Sequence, residues 1–386
     1  MSDLTNVFTD IADAIRAKTE TQITYKPTEM ANAINNIQSG GGELVYNGNG
    51  IYFVDWFNLP VTIDNNVTNT STLFRSFTNF NQPVNIPNSV TNVSEMFGGC
   101  YNFNQPVTIP DSAVDTSAMF YSCTNFNQPV TIPNNVTNSN RMFYSCTNLN
   151  QPVTIPNSVL TTVQMFYNCT NFNQPVIIPN SVTNTALMFR NCKNFNQSVT
   201  IPSSVTNTVN MFSSCDNFNQ PVIIPNSVTN VAYMFFSCSN FNQPITIAEG
   251  VQDTAYMFNG CVNFNQPVII PNSVTKADYM FSGCVNFNQP VIIPNSVTNV
   301  ANMFYYCPNL THIFVKTNPS LNARNMVRGK NNYLQLVIET NNVSKFIGVS
   351  ATQSITGTAI TWTLEGDNYY NTAYNINIID NQSLGS

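Results

Sequence analysis

The sequence predicts a repeat solenoid of short parallel β-strands and turns, with a small α-helical N-terminus and a β-rich C-terminal unit. Three observations lead to this prediction. Ten cysteines recur every 23 residues, and ten methionines keep the same interval, each four residues ahead of a cysteine. Charged residues make up only 8% of the 386 residues, against about 25% in typical globular chains. The cysteines are Cys100, Cys123, Cys146, Cys169, Cys192, Cys215, Cys238, Cys261, Cys284 and Cys307.

Each 23-residue unit predicts one coil of the solenoid. In Pro106–Pro110, Val107 and Ile109 point to one side of a strand and Thr108 to the other. The Met-Phe-x-x-Cys segment has the apolar spacing of one helical or 3₁₀ turn that faces inward. A single unit cannot bury its apolar side, so we expect stacked coils with strands about 4.8 Å apart.

The array extends beyond its cysteines. Phe77 occupies the cysteine position upstream, and Phe57 and Phe80 occupy the position of the aromatic residue after it. Residues 324–340 align without a gap on residues 301–317, with Lys330 in place of a cysteine. The solenoid is therefore predicted over residues 51–341, with atypical end coils that face water on one side.

The repeat pattern C-x-N-F-x-x-P-V-x-I-P-x-S-V-T-N-x-x-x-M-F-x-x-C resembles the 23-residue BspA-like class of leucine-rich repeats. This resemblance covers about three quarters of the chain. It implies a right-handed solenoid with its strands on one face and a role in surface attachment or adhesion. One copy has Ser198 where the pattern has proline. The N-terminal residues also lack the basic and apolar regions of a secretory signal.

The repeated cysteines are compatible with a metal site, a disulfide ladder, reactive thiols or a wall of the core. Zinc sites use converging ligands from spacings such as C-x-x-C, and none occurs here. Stacked cysteines lie within disulfide distance, but their side chains run parallel. His312 is the single histidine and cannot activate ten thiols. We therefore interpret the cysteines as small buried apolar residues, and the repeated Asn104, Asn127 and Asn150 as turn-stabilising residues.

Charge and hydropathy exclude several classes of function. The net charge is -6 without a basic run, which argues against nucleic acid and against attachment to anionic lipid. No apolar run reaches the length of a membrane span. Neither a cofactor nor a metal site is predicted. The nearest approach to a pair of catalytic carboxylates is Asp111 with Asp115, so we expect that the chain is not an enzyme.

The N-terminal residues predict two short helices within a 1–39 module for attachment or oligomerisation. Ser2 or Asp3 caps the first, at 2–18, and Pro27 begins the second, at about 27–38. The two helices pack on each other, on further copies of the chain, which predicts a homo-oligomer, or on a larger assembly. Their apolar faces contain Leu4, Phe8, Ile11, Ile15, Met30, Ala33, Ile34 and Ile37.

Residues 11–37, IADAIRAKTETQITYKPTEMANAINNI, resemble the short N-terminal module of tail fibre and baseplate proteins in phages of low-GC Gram-positive bacteria. This second resemblance implies a virion protein whose N-terminus binds other tail proteins. It accounts for the missing secretory signal, because virions leave the cell by lysis.

The C-terminal residues predict a β-rich unit. A Gly-rich linker at 40–50 precedes the solenoid and the unit follows at 342–386. Alternating apolar residues on both sides of Gly366–Asp367–Asn368 predict a hairpin across 355–380. It forms a separate unit or continues the solenoid sheet as a cap.

Three outward positions carry the candidate binding residues: the residue directly before each methionine, the residue two positions after it, and the middle residue of the strand. Stacked tyrosines offer flat amphipathic surfaces for a sugar or a protein, and the middle residue of the strand changes from Thr to Ile towards the C-terminus. The candidate ligand-binding residues are Tyr121, Tyr144, Tyr167, Tyr233, Tyr256, Tyr279 and Tyr305, and the apolar strand residues are Ile177, Ile223, Ile269 and Ile292.

The sequence thus predicts a phage tail fibre or receptor-binding protein that attaches to a host-surface glycan or protein. The alternative is a bacterial BspA-like surface adhesin for a host protein or glycan. An enzyme acting on host polysaccharide is a third hypothesis that no motif supports.

Overall fold

The computed structural model describes residues 44–46, 48, 58–315, 326–327, 335–338, 351–356, 359–364 and 377–380. The predicted N-terminal helices, all of their attachment residues and residues 366–368 lie outside this set. The described residues contain ten short strands and neither an α-helix nor a 3₁₀-helix, and thus no helix that could cross a membrane. The strands are Leu44–Tyr46 (β1), Val61–Ile63 (β2), Val130–Thr131 (β3), Val153–Thr154 (β4), Val291–Ile293 (β5), His312–Val315 (β6), Gln335–Ile338 (β7), Ala351–Thr356 (β8), Ala359–Leu364 (β9) and Asn377–Asp380 (β10).

The strands of the solenoid pair in parallel from one coil to the next. Val130 of β3 lies opposite Val153 of β4, one 23-residue repeat later. Strands β5, β6, β7 and β10 form the largest sheet, and β1 pairs with β2. Val107 and Ile109 are buried and Thr108 is exposed, which confirms the predicted direction of the strand side chains. A solenoid of short parallel strands is confirmed.

A second ladder runs along the solenoid at the Asn of the Ser-Val-Thr-Asn segment. Parallel bridges join this position in every coil from Asn69 to Asn299 without a break. At Asp115, for example, the chain bridges both Asn92 and Asn138. Each coil is therefore tied to its neighbours on more than one side, which keeps the 23-residue register uniform.

The Met-Phe-x-x-Cys segment is a series of tight turns, and the predicted helical or 3₁₀ turn is wrong here. Met119 N donates to Thr116 O within the coil, whereas Phe120 N donates to Met142 O of the next coil at 2.9 Å. Alternate amides are thus used between coils, and they cannot also close a helix. Ala118 and Ser122 have φ angles of 52° and 57°, which a right-handed helix does not accommodate.

The core is a continuous inner wall of Met, Phe, Cys, Val and Ile side chains that extends through all the described coils. In most coils two phenylalanines stack on each other and on those of the next coil, and Leu149 and Leu310 replace the second phenylalanine in two coils. The Phe97 and Phe103 rings lie 4.2 Å apart within a coil, and the Phe97 and Phe120 rings lie 5.7 Å apart between coils. Full burial of one such side chain contributes about 2 kcal/mol, so stability comes from stacking many similar coils.

The strand register shifts by one residue near the C-terminal end of the cysteine array. Val291 lies opposite Ile313, which is 22 residues later instead of 23. Ile313 is buried, and Phe314 is half-buried opposite Ile292. Because side chains alternate sides along a strand, this shift by one residue directs Ile313 inward in place of Phe314.

The C-terminal strands differ from the predicted hairpin. The antiparallel ladder joins β8 to β9, with Ile355 opposite Ile360, and it therefore lies before residues 366–368. Strand β10 pairs in parallel with β7 and extends the sheet that begins at β5.

Candidate functional site

The outward side of the turn segments carries two neighbouring rows of side chains, which we call the turn face. One row consists of the residues directly before each methionine, and the other consists of the residues two positions after it. The Tyr233 and Phe236 rings, one from each row, lie 5.8 Å apart. All seven tyrosines predicted as ligand-binding residues lie on this face.

The first tyrosine column consists of Tyr121, Tyr144 and Tyr167, two positions after their methionines. The ring centroids are 4.7 Å and 4.5 Å apart, with interplanar angles of 12° and 3°. The Arg190 guanidinium lies 5.7 Å from the centroid of the Tyr167 ring, within the range of a cation–π interaction. The column thus ends on a cation.

The second tyrosine column consists of Tyr233, Tyr256 and Tyr279, directly before their methionines. Adjacent rings are 4.5 Å and 4.4 Å apart. Their φ angles are between 56° and 59°, a left-handed conformation that costs roughly 1–2 kcal/mol for a residue with a side chain. Stacking between the rings offsets part of this cost.

Stacking changes what the columns offer to a ligand. Inner rings such as Tyr144 and Tyr256 have both faces covered by neighbouring rings. The surface therefore presents ring edges and a row of hydroxyl groups, and open ring faces are restricted to the column ends. A ligand that forms hydrogen bonds at regular intervals fits this surface better than one that needs a flat ring face.

The electrostatic surroundings of the two columns differ. Burial, followed by the negative charge of Asp278, raises the pKa of Tyr233. Burial and the neighbouring tyrosines raise the pKa of Tyr256 to about 12. Burial also raises the pKa of Tyr144, and the positive charge of Arg141 acts in the opposite direction. The first column thus has basic neighbours and the second has acidic ones.

Tyr305 belongs to neither column. Its ring packs edge-on against Tyr306 at 4.6 Å, and the same position one repeat earlier holds the buried Ser282. Tyr305 is half-buried at the C-terminal end of the turn face within residues 58–315.

The strand face carries the apolar residues that the sequence predicted. Ile177, Ile223 and Ile269 are each 84% exposed, and Ile292 is 50% exposed opposite Phe314. The prolines that precede these strands, such as Pro221 and Pro267, are also exposed. This second outward surface is uncharged.

The sequence analysis missed Arg190 and Phe236 as parts of the turn face. Arg190 follows Tyr167 by one 23-residue repeat, and Phe236 shares that same position two repeats further on. The repeat alignment therefore carried the signal.

The cysteines line the inner wall. All ten are free and buried, and each S–H donates to the carbonyl oxygen of the phenylalanine 26 residues earlier, as Cys123 does to Phe97 at 3.0 Å. Burial raises the pKa of Cys100 and Cys307 to about 12 and that of Cys215 well above its ordinary value. The thiols stay protonated at neutral pH, which confirms their role in the core.

The repeated asparagines tie neighbouring coils together. The backbone N–H of Asn127 donates to the Asn104 side-chain oxygen at 2.9 Å, and Asn150 makes the same bond to Asn127. A second ladder of side-chain amides runs through Asn102 and Asn125. The structural interpretation of Asn104, Asn127 and Asn150 is confirmed.

The weak catalytic candidates have structural roles. Asp115 forms one step of the bridge ladder, and its carboxylate accepts the Ser117 N–H at 2.8 Å. The Nδ1 atom of His312 lies 2.9 Å from the Thr311 hydroxyl. Within the described residues, no group of three or more His, Cys, Asp or Glu side chains is arranged to hold a metal ion.

Comparison with known proteins identifies the family. A family model described as "Mycoplasma protein of unknown function, DUF285" matches residues 62–154, 111–201, 163–269, 201–290 and 247–340, which together cover more than half of the chain. The chain belongs to the DUF285 family. No curated protein matches this DUF285 chain at a significant level.

One solved structure supports the fold of this DUF285 protein, and two further structures show weaker similarity. A leucine-rich repeat protein from Bacteroides ovatus ATCC 8483 is 20% identical, with a TM-score of 0.56 over 74% of this chain and 81% of that protein. A leucine rich cell surface protein from Faecalibacterium prausnitzii A2-165 is 19% identical, with a TM-score of 0.49 over 80% and 90% of the two chains. A leucine-rich repeat protein from Eubacterium ventriosum ATCC 27560 is 18% identical, with a TM-score of 0.41 over 71% and 83%.

These findings place the chain among bacterial leucine-rich repeat proteins by fold. The predicted BspA-like class of solenoid is supported. The phage tail module predicted at residues 11–37 lies outside the described residues, and no comparison supports it.

Proposed function

We propose that this protein is a non-enzymatic adhesin of a bacterial surface that binds its ligand through the turn face. The observation that carries the proposal is the pair of stacked tyrosine columns on a regular solenoid wall. This reverses the order of the two functions predicted from the sequence, because the family and the fold support the surface protein and not the tail fibre.

The solenoid provides a rigid surface for binding. Backbone amides of the turn segments that carry the turn face, such as those of Phe120 and Ser122, donate to the next coil at 2.9 Å and 2.6 Å. The tyrosines are held in place by stacking before any ligand arrives. A pre-ordered surface loses little conformational entropy on binding, and tyrosine offers a large contact area with few rotatable bonds.

The repeat class supports an external role. The BspA-like pattern, which resembles surface and adhesion proteins, continues through all ten cysteine-containing coils. Stacked repeats form extended binding surfaces of the kind used by other solenoid proteins. The charged residues between Phe57 and Asn309 form no paired acidic set that recurs at one repeat position, which favours binding over hydrolysis.

The ligand class that fits the turn face is a host or neighbouring-cell glycan or protein with many hydrogen-bonding groups. The N-terminal module is proposed to attach the protein or to form a homo-oligomer. The tail fibre remains the alternative, because residues 11–37 resemble a tail module, and in that case the same module attaches to other tail proteins.

Antibody labelling distinguishes the two locations. An antibody raised against residues 58–315 is expected to label intact, unlysed cells of the producing bacterium in immunogold micrographs. An antibody against an abundant cytoplasmic protein serves as the control for lysis. Label confined to phage particles, with none on intact cells, would show that the surface location is wrong.

Adhesion is tested with the fluorescently labelled full chain on host cells. The Tyr144→Ser and Tyr256→Ser variants together are expected to reduce bound fluorescence several-fold. Thr108→Ser, an exposed change on the strand face, serves as the control. Unchanged adhesion of the tyrosine variants would contradict a binding role for the turn face.

A further inference from the structure

The first tyrosine column has guanidinium groups at two places. Arg190 lies over the end of the column, and its guanidinium carbon, Cζ, is 5.7 Å from the centroid of the Tyr167 ring. Arg141 lies beside Tyr144, and its Nε donates to the Gln164 side-chain oxygen at 2.6 Å. Both cations are therefore held in position by uncharged groups.

These two arginines lack a carboxylate partner among the described residues. Residues 58–315 contain five basic side chains, and two of them form ion pairs: Arg75 with Glu95 at 2.8 Å and Lys276 with Asp253 at 3.8 Å. Lys193 lies outside the two rows of the turn face and has Asp216 one repeat later in the sequence. On the turn face, Arg141 and Arg190 are left without an ion pair among residues 58–315, on a protein whose net charge is -6.

Between Ala118 and Arg190 the two rows of the turn face hold no acidic residue, and Glu95, one coil before Ala118, is ion-paired with Arg75. Over this range the two rows contain only alanine, tyrosine, arginine, glutamine and leucine. By contrast, the second column has Asp253 and Asp278 close enough to raise the pKa of Tyr233. The basic character of the first column is therefore local.

We propose that the first tyrosine column, together with Arg141 and Arg190, binds an acidic linear polysaccharide. The two guanidinium groups bind its carboxylate or sulfate groups, and the tyrosine hydroxyls hydrogen-bond to sugar hydroxyls between them. This inference rests on the proposed function and deepens it by naming the ligand class.

The guanidinium chemistry supports an anionic ligand. A guanidinium that packs on an aromatic ring keeps its N–H groups in its own plane, and it can still bind an oxyanion with two parallel hydrogen bonds. Arg141 precedes Arg190 by about two coils, which corresponds to roughly 10 Å along the solenoid axis. The site thus favours a polymer whose acidic groups repeat at about that distance.

The spacing of the column favours a polysaccharide over an acidic peptide. The hydroxyl-bearing rings repeat at 4.5–4.7 Å. An extended peptide advances about 3.3 Å per residue, and its side chains return to the same face about every 6.6 Å, so it does not keep step with the rings. Two arginines are also too few for the counterion release that drives nucleic-acid binding.

The test measures binding of the immobilised full chain by biolayer interferometry. The probes are dextran sulfate, polygalacturonate, neutral dextran and poly-L-glutamate. We expect at least one of the two acidic polysaccharides to bind about tenfold more tightly than neutral dextran and poly-L-glutamate. If poly-L-glutamate binds equally well, or if neither acidic polysaccharide binds, the inference is overturned.

Variants identify the site. Arg141→Gln and Arg190→Gln are each expected to weaken binding of the acidic polysaccharide about tenfold, since hydrogen bonds to charged groups are among the stronger ones. Tyr144→Phe removes one hydroxyl and is expected to weaken it about threefold. Arg75→Gln, which removes an ion-paired cation, and Tyr101→Phe, which removes the hydroxyl of an exposed tyrosine outside the turn face, are the matched controls. A double variant, Arg141→Gln with Arg190→Gln, completes the set. The site would be refuted if the dissociation constant of this double variant stayed within twofold of wild type, or if Arg75→Gln lost as much binding.

Two further measurements keep the outcome unambiguous. Melting temperatures report folding, and Arg141→Lys and Arg190→Lys, which keep the charge, are expected to retain part of the binding. Adhesion to cells that depends on the tyrosines, without a dependence on the arginines, would overturn this inference and leave the proposed function intact. If the protein binds the acidic polysaccharide but is absent from the cell surface, the ligand assignment stands and the proposed surface function is wrong.

Discussion

The thiol of Cys123 donates a hydrogen bond to the backbone carbonyl oxygen of Phe97, which lies 26 residues earlier in the preceding coil, at 3.0 Å. The same carbonyl also accepts the Cys100 N–H at 3.0 Å. Each cysteine therefore fills a small apolar space and satisfies a carbonyl group between coils. This relationship recurs from Cys100 to Cys307.

We expect the thiols to be unreactive in the folded protein. They are buried, and burial raises the pKa of each well above the range in which a thiolate forms at neutral pH. Labelling with 5,5′-dithiobis(2-nitrobenzoic acid) at pH 8 should modify few thiols in the native protein and close to all ten in guanidinium chloride under reducing pretreatment. Rapid modification of most thiols in the native protein would contradict their place in the inner wall.

Alkaline pH is expected to destabilise the solenoid. A thiol has a pKa near 9.0 when unfolded, and Cys100 and Cys307 reach about 12 in the fold. The protonated native thiols contribute their full stability below pH 9, and this contribution is lost as the pH rises through the folded-state pKa. The free energy of unfolding in urea should therefore fall between pH 9 and 11. A Cys100→Ser, Cys307→Ser double variant, with folding at pH 7 verified by circular dichroism, should show a shallower fall, and an equal fall would contradict the assignment.

Replacement of Cys215 separates its size from its hydrogen bond. Its S–H donates to the Phe189 carbonyl at 2.9 Å. Cys215→Ala removes the donor and leaves a small void, so we expect a loss of about 1–2 kcal/mol in unfolding free energy. Cys215→Ser keeps a donor and should recover part of that loss. The two variants would be compared by urea unfolding, and equal stability of Cys215→Ala and wild type would exclude a contribution from the thiol.

Ile223 and Ile224 offer a matched pair of adjacent residues on opposite sides of the Pro221–Pro225 segment. Ile223 is 84% exposed and Ile224 is 5% exposed. Ile223→Thr should change the unfolding free energy by less than about 0.5 kcal/mol. Ile224→Thr places a hydroxyl in the inner wall and should cost about 2 kcal/mol. A reversed order of these effects in chemical denaturation would show that the strand register is wrong.

Ser214 tests the left-handed position before the cysteine. Its φ angle is 59°, and glycine occupies the same position in other coils, for example Gly260 at 75°. Ser214→Val should cost about 1–2 kcal/mol, because a β-branched side chain is unfavourable at positive φ. Ser214→Gly should be close to neutral and serves as the control. If both variants melt at the wild-type temperature, the turn conformation assigned here is incorrect.

The repeat itself made most of the solenoid predictable. Each coil contacts mainly its neighbouring copies, so a constant 23-residue interval sets the register of the strands, as in Val130 opposite Val153. Alternation within Pro106–Pro110 was enough to assign Val107 and Ile109 to the wall and Thr108 to the surface. The presence of a single histidine, His312, for ten cysteines likewise led to their correct interpretation as core residues.

The candidate site was only partly predictable. The turn positions of Tyr121 and Tyr233 followed from the repeat, and the sequence suggested that they stack. Arg190 over Tyr167 was overlooked, although it occupies the next copy of the same position. That the stacked rings leave mainly edges and hydroxyls for a ligand depends on a centroid distance near 4.5 Å, which no spacing in the sequence specifies.

The sequence by itself determined the solenoid, its period, its inner wall and the outward positions, because stacked identical units transfer a local pattern along the whole array. The tertiary structure decided the features that depend on contacts between coils. Alternate amides such as Phe120 N bond to the next coil, so the Met-Phe-x-x-Cys segment forms left-handed turns where local spacing favoured a helical turn. Ile313 takes the inward place of Phe314 by a one-residue shift. In both cases hydrogen bonds to the neighbouring coil outweigh the local preference. An amide that donates to the next coil cannot also close a helical turn, and a strand takes the register of the strand with which it pairs.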